Sequence, residues 1–408
     1  MLSAWLAARS RACIPRSTRP LAFLIGMLGC ESSPTLPPGI LVLEAHAAAD
    51  LDARFQRTEG WTGGDGVYSV QLSDDRVAWL FSDSWVGRIA GGRRIDATIV
   101  NNAVAVQSGL GSDALVQFVV PQTASADGKV QPRAFVQPEP ASGRWYWLQA
   151  GVRTPRGLQA FAAEIERTAA GTVFGFRAVG SALVTVEHPD APLAVWQPRA
   201  CQVPFADHTP DREIAFGAAI LEHHGWLYVY GIDEDRHRLG GKRLVVARVP
   251  PAALDQWSSW EFFEGSGRWG RDFRRAAPVC DGMANELSVT WHEAAGVYLA
   301  VCTENGMSPR IVARAARSPT GPWSKAVVLY ECPEAGWDQR IFCYAAKAHA
   351  VLSHADTLVV SYVANSLDFW QVAADARLYW PRFVRVRWTA LPPGARTPDR
   401  EEHERAPP

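Results

Sequence analysis

The sequence predicts an all-β protein built as a five-bladed β-propeller, on three observations. Short runs rich in Val, Tyr, Trp and Phe, bounded by Gly, Asp and Pro, recur through the 408 residues. Long amphipathic helical patterns are almost absent. A strand, a tight turn and a second apolar strand follow one another five times, which is the periodicity of a repeat architecture.

The first unit is the clearest. Gly66-Val-Tyr-Ser-Val-Gln-Leu72 reads as a strand, Ser73-Asp-Asp-Arg76 as a turn, and Val77-Ala-Trp-Leu-Phe81 as the returning strand. Equivalent units are expected around Tyr146 to Glu164, Phe216 to Tyr230, Leu287 to Val301, and Ala350 to Tyr362. Their second strands begin near Val77, Leu158, Trp226, Val297 and Leu358, an interval of roughly sixty to eighty residues that leaves room for inserted loops. Segments such as Arg243 to Val249 and Arg310 to Ala316 supply outer strands. Radial repetition protects strand edges that one flat sheet would expose. A β-sandwich, or two, fits the same strands and turns.

The amino terminus carries Arg9, Arg11, Arg16 and Arg19 without an acid, then the apolar run Leu21 to Gly29, then Cys30. This is the layout of an export signal, too short to span a bilayer as a mature helix. Gly29 before Cys30 resembles the lipobox of bacterial lipoproteins, with Met27 where Leu is usual. Lipidation at Cys30 is therefore expected, an ordinary signal peptide being the alternative. The expected organisation is a signal over residues 1–30, a Pro- and Ser-rich flexible tether over 31–50, the propeller over 51–390, and a disordered tail over 391–408. The expected location is the bacterial cell envelope, as a lipoprotein, or the periplasm or medium.

A formal net charge of -1, from 41 basic and 42 acidic residues, gives no basic footprint for phosphates, so nucleic acid is excluded as an expected partner. Membrane contact is expected only through Cys30. Beyond Cys13 and Cys30 the cysteines are Cys201, Cys280, Cys302, Cys332 and Cys343. An oxidising compartment permits Cys332 to pair with Cys343, or Cys280 with Cys302, within one blade. No zinc-type spacing, Walker loop, dinucleotide fingerprint or serine-hydrolase elbow occurs. No metal or cofactor is called for, and no loop has a calcium spacing that would support an ion on the axis.

In a propeller the residues opening the innermost strands face a shared axial pocket. Those residues are Asp65, Ala150, Gly217, Glu286 and His349. Asp83 ends the return strand of the first hairpin, and pairing about Asp74 and Asp75 sets position 65 nearly opposite position 84. Asp65 and Asp83 are thus expected to share one site. Like charges so close raise one pKa, which leaves a proton donor beside an ionised partner, the division that glycoside hydrolysis needs. Glu286 is a third catalytic candidate. Asn101, Asn102, Trp147, His349, Asn365 and Arg382 are candidate substrate-binding groups, against readings as loop caps, wedge-filling aromatics or a histidine bonded between blades.

The ordered motifs Gly63-Gly-Asp-Gly66, Leu80-Phe-Ser-Asp-Ser-Trp85, Val100-Asn-Asn-Ala-Val-Ala-Val-Gln107, Lys347-Ala-His349, Ser361-Tyr-Val-Ala-Asn-Ser366 and Tyr379-Trp-Pro-Arg-Phe383 resemble bacterial propellers of the domain-of-unknown-function 4185 and 5005 types, relatives of endo-D-arabinanases. The resemblance covers most of residues 55 to 388. It implies a five-bladed furanosidase-like fold, an arabinan-like or other furanose-containing polysaccharide or oligosaccharide as partner, and Asp65 and Asp83 as the family's acids. Two departures stand out: Ala150 where that family pattern suggests an acid, and Trp380 in place of an arginine. A glycoside hydrolase, a non-catalytic glycan-binding propeller and a scaffold lipoprotein that binds another protein through its loops are the functions this leaves.

Overall fold

The computed structural model describes residues 36–124, 128–168, 175–238 and 240–395. The expected signal, the Cys30 lipidation site and the last part of the expected tail lie outside the described residues.

The described chain is all-β. Five sheets follow one another and are denoted I to V, each beginning with its innermost strand. Sheet I comprises Tyr68–Gln71, Arg76–Phe81, Ala103–Ser108 and Leu115–Val119. Sheet II comprises Trp145–Thr154, Gly157–Arg167, Phe176–Val186 and Arg199–Gln202. In sheet III, Arg212–His223, Trp226–Asp235, Lys242–Val249 and Glu261–Gly265 form the main run, with short strands at its margins. Sheet IV is Leu287–His292, Val297–Thr303, Arg310–Ala316 and Val327–Glu331. Sheet V is Ile341–Ala348, Thr357–Ser366, Pro381–Leu391 and, outermost, Gly39–Ala47.

All neighbouring strands in these sheets are antiparallel, and each innermost strand lies beside that of the next sheet from I through V. Sheet V returns to sheet I where Ser69 Oγ meets His349 Nδ1 at 2.8 Å. This is a β-propeller arrangement, and the packing explains it. Every sheet buries both faces, so Val297–Thr303 is buried at all seven positions rather than at alternate ones. Separate apolar clusters fill each gap. Leu80 and Val104 meet Leu148 and Val184 between sheets I and II, Phe161 and Leu183 meet Phe216 and Phe262 between II and III, and Tyr230 and Val246 meet Val289 and Val312 between III and IV. Val301 and Ile311 face Val360 and Val384 between IV and V, and Trp79 and Phe81 face Phe383 across the closing gap. Each such side chain removed from water contributes about 1.5–3 kcal/mol, so the gaps hold the sheets in their order.

Two sequence expectations are corrected. The span 31–50, expected as a tether, contains a strand, Gly39–Ala47, that pairs with Pro381–Leu391, and a short helix, Ala49–Ala53, follows. Joining the two ends of the described chain in one sheet closes the ring with main-chain hydrogen bonds. The fifth hairpin begins earlier than expected, at Ile341–Ala348, because Ala350 to Leu352 form a 3-10 turn between its two strands. The described cysteines, Cys201, Cys280, Cys302, Cys332 and Cys343, are all free thiols. Cys332 and Cys343 also belong to the gap between sheets IV and V rather than to one sheet.

An inserted hairpin, Ser84–Ala90 with Arg93–Val100, leaves sheet I and pairs with Glu59–Gly64. Arg94, only 6% exposed, fixes it by donating to the carbonyls of Thr62 (2.9 Å), Val372 (2.7 Å) and Leu378 (2.7 Å). Gly63 has φ 130°, and a Cβ there would sit 2.4 Å from the Tyr379 carbonyl oxygen, so the motif needs glycine at that position.

Candidate active site

Asp65 and Asp83 are brought together by the main chain. The Asp65 amide donates to the Asp83 carbonyl (3.1 Å), and the Ser82 amide donates to the Asp65 carbonyl (2.9 Å). The expected juxtaposition at the open end of the first hairpin is therefore what the structure contains. Asp83 and Asn101 flank the base of the inserted hairpin, where Ser84 pairs with Val100. That geometry lets Asn101 Nδ2 donate to Asp83 Oδ1 (3.0 Å), and Trp147 Nε1 of sheet II donates to the same oxygen (2.7 Å).

Asp65 Oδ2 accepts from Tyr344 Oη and, at 2.8 Å, from Tyr379 Oη, while its buried Oδ1 has no partner among the described residues. Burial pushes Asp65 well above the usual carboxylate range, helped by the nearby Asp83 and Glu286 carboxylates, and this outweighs the two tyrosine hydrogen bonds. Burial also raises Asp83 to about 6 against the opposing pull of Asn101 and Trp147. The two acids thus occupy environments that separate their protonation.

Glu286, just before the first strand of sheet IV, completes the set. Its Oε1 is 3.4 Å from Nζ of Lys347, a side chain 2% exposed. All three carboxylates line one cavity of 880 Å³, together with Trp85, Trp147, Phe342, Tyr344, Phe369 and Tyr379. Asn365 lines it too and donates to Tyr344 Oη at 3.3 Å. Aromatic faces and polar amides around carboxylates suit a saccharide, whose rings offer both apolar faces and hydroxyl edges.

Among the expected binding residues, Trp147, Asn101 and Asn365 belong to this site, and three others do not. Asn102 is 1% exposed and caps a loop, its Nδ2 donating to the Val136 and Tyr146 carbonyls at 2.9 Å and its Oδ1 accepting from the Val136 amide at 2.9 Å. His349 has both ring nitrogens engaged, Nδ1 with Ser69 Oγ (2.8 Å) and Nε2 with Ser361 Oγ (2.7 Å), and burial holds it down at about 3. It joins sheets V and I instead of meeting a ligand. Arg382 is occupied by Glu334, Nη1 to Oε1 at 3.2 Å, and by the Arg377 carbonyl.

The strand register also revises the reading of Ala150. Asp65 precedes Tyr68, which pairs with Leu80. The matching irregularities run from Leu148 to Gly151 in sheet II and from Tyr344 to Lys347 in sheet V. Leu148 and Tyr344 are therefore the counterparts of Asp65, whereas Ala150 lies inside a bulge and lines a second cavity, away from the acids. Gly217 takes the bulge position in sheet III at φ 118°, where a Cβ would meet the Phe161 side chain at 2.5 Å. Trp380 is a core residue, with Nε1 donating to the Ala376 carbonyl at 2.6 Å.

Sequence reasoning missed Tyr344, Tyr379 and Lys347 as site residues. Tyr379 and Lys347 stood within motifs already singled out, but nothing local distinguishes an inward tyrosine from a wedge-filling one. The cavity does: Tyr344 from the innermost strand of sheet V and Tyr379 from the bend before Pro381–Leu391 reach the same oxygen of Asp65.

The family model of the domain of unknown function DUF5005 matches residues 48–388. A stretch of 112 residues is 35% identical to Notoamide biosynthesis cluster protein J' of Aspergillus versicolor, which covers 25% of this chain and 28% of that protein. A presumed hydrolase from Bacteroides ovatus shares the fold at a TM-score of 0.65, with 20% identity over 84% of this chain and 90% of that one. An alpha-L-arabinofuranosidase from Lactobacillus brevis aligns at a TM-score of 0.43, with 11% identity over 82% of this chain and 97% of that one.

Proposed function

The chain belongs to the DUF5005 family, and from the site it carries we propose that it is a glycoside hydrolase acting on a furanose-containing, arabinan-like polysaccharide. Counting sheets I to V as blades makes it a five-bladed propeller with this chemistry at one end of its axis. The observation that carries the reading is the convergence of Asp65, Asp83 and Glu286 on one aromatic cavity, with Asp65 and Asp83 held at different proton affinities.

In this reading Asp65 keeps its proton and delivers it to the leaving glycosidic oxygen. Asp83, ionised above about pH 6, activates the attacking water. Tyr344 and Tyr379 fix the Asp65 carboxyl through Oδ2, which leaves Oδ1 for the proton in flight. Trp147 and Asn101 orient Asp83, and Trp147 also borders the space for the sugar. The furanose class is what the motif resemblance implies.

The test is reducing-end release from furanose and pyranose polysaccharides by the purified chain, beside Asp65→Asn and Asp83→Asn. Product from the parent that disappears in both variants is expected. Saturable binding of a polysaccharide with no product from any of them would make this a glycan-binding propeller instead.

The layout of residues 1–30 supports export, with a lipid on Cys30. Expression in a bacterial host should give a membrane-associated, acylated mature form beginning at Cys30, and mass spectrometry of the amino-terminal peptide reads it. An unmodified amino terminus at another position would remove the anchor.

A further inference from the structure

The proton transfers proposed above leave Lys347 without a task, yet its buried ammonium lies 3.4 Å from Glu286, which lines the cavity. Strand bulges in two sheets prepare its seat. In sheet V the ladder slips between Tyr344 and Lys347, with Ala345 at φ 60°. Before sheet I, Gly66 and Val67 stand at φ 80° and 54°. The carbonyls of Ala345 and Gly66 both accept from Lys347 Nζ, the former at 2.6 Å. Glu286 Oε1 is the third acceptor at 3.4 Å, and the Tyr68 ring lies 4.4 Å below the nitrogen. Three acceptors match the three N–H groups of an ammonium, and an aromatic face also selects the cation.

We propose that Lys347 is a positioning residue, a cation supplied by the chain itself that holds Glu286 as an ionised member of the carboxylate set and so leaves the proton on Asp65. The groups facing Glu286 are Lys347, Asp65, Tyr68 and Tyr344. Lys347 is the basic group among them; burial pulls its proton affinity down, opposed by the Glu286 and Asp65 carboxylates. Removing Lys347 leaves Glu286 facing a carboxyl and two phenols without a counter-charge. Only the catalytic consequence rests on the glycosidase reading, because the charge assignment can be read without substrate.

The experiment is nuclear magnetic resonance titration of the purified, substrate-free chain, with side-chain 15N on lysine and 13C on the carboxyls. The Glu286 signal is assigned by its absence in Glu286→Gln. The expected results are a charged Lys347 at neutral pH in the parent and a Glu286 midpoint at least about tenfold higher in proton affinity in Lys347→Met. Lys347→Arg, which keeps the charge, should hold Glu286 near its parent midpoint. A neutral Lys347 amine in the parent overturns the proposal whatever the variants do, and so does an unmoved Glu286 midpoint in a folded Lys347→Met. If these results hold while no polysaccharide is cleaved, the hydrolase reading fails and the charge assignment stands.

Discussion

Asp83→Asn is expected to lower kcat by about 10²- to 10⁴-fold on whichever polysaccharide the parent cleaves, the range lost with a positioned general base. An amide oxygen can still accept from Trp147 Nε1 and Asn101 Nδ2, so the cavity keeps its shape while the ionisable group is gone. In the parent, kcat/KM should rise with pH through about 6, where Asp83 loses its proton, and fall again where Asp65 loses its own. The two limbs belong to the coupled pair. The variant should lack the acid limb in whatever activity survives.

The same substitution should change stability in a definite direction. The folded midpoint of Asp83, about 6, lies above its ordinary 3.8. Its contribution to stability is therefore fully present below the unfolded midpoint and lost as pH rises through about 6. Asp83→Asn escapes that loss, so its Tm should exceed the parent's at about pH 7.5 and gain nothing near pH 3.5. Thermal unfolding at both pH values reads this. A variant that turns over at the parent rate would take Asp83 out of the mechanism, and an equal Tm gain at both pH values would refute the burial of its charge.

Arg382→Ala should cost about 3–5 kcal/mol of folding stability, the usual loss when one partner of a buried ion pair is removed. Glu334 is 4% exposed and has two partners: Tyr362 Oη donates to Oε2 at 2.7 Å, and Arg382 Nη1 lies 3.2 Å from Oε1. Truncation strands the second oxygen in the gap between sheets IV and V. It also removes the guanidinium from the Trp337 ring, 5.2 Å away. Urea unfolding measures the loss, and KM should stay at the parent value because the side chain does not line the cavity. A raised KM with unchanged stability would restore Arg382 to substrate binding.

The same residue shows where sequence reading stops. Arg382 shares a motif with Tyr379, and the sequence offers Arg382, not Tyr379, as the sugar-binding group. Tyr379 precedes the strand Pro381–Leu391 and Arg382 lies within it, and only the packed sheets bring the first to the cavity and the second to Glu334. The sequence sets His349 at the opening of an innermost strand, whereas it precedes a 3-10 turn and its two serine partners lie on strands of different sheets.

The sequence by itself determined the all-β character, the repeated hairpins and the pairing of Asp65 with Asp83, because each depends on contacts within a few residues or across one tight turn. Tertiary structure decided the rest. Gly39–Ala47 became a strand only because Pro381–Leu391 offers an unpaired edge at the other end of the described chain. Of those nine residues Ile40 alone is buried, so no alternating pattern marked them. Glu286, Lys347, Tyr344 and Tyr379 likewise acquired their roles when sheets I, IV and V met at the axis. The physical reason is that the alternation of a strand records which residues are buried, but the partner that buries them, and the charge it carries, comes from another sheet.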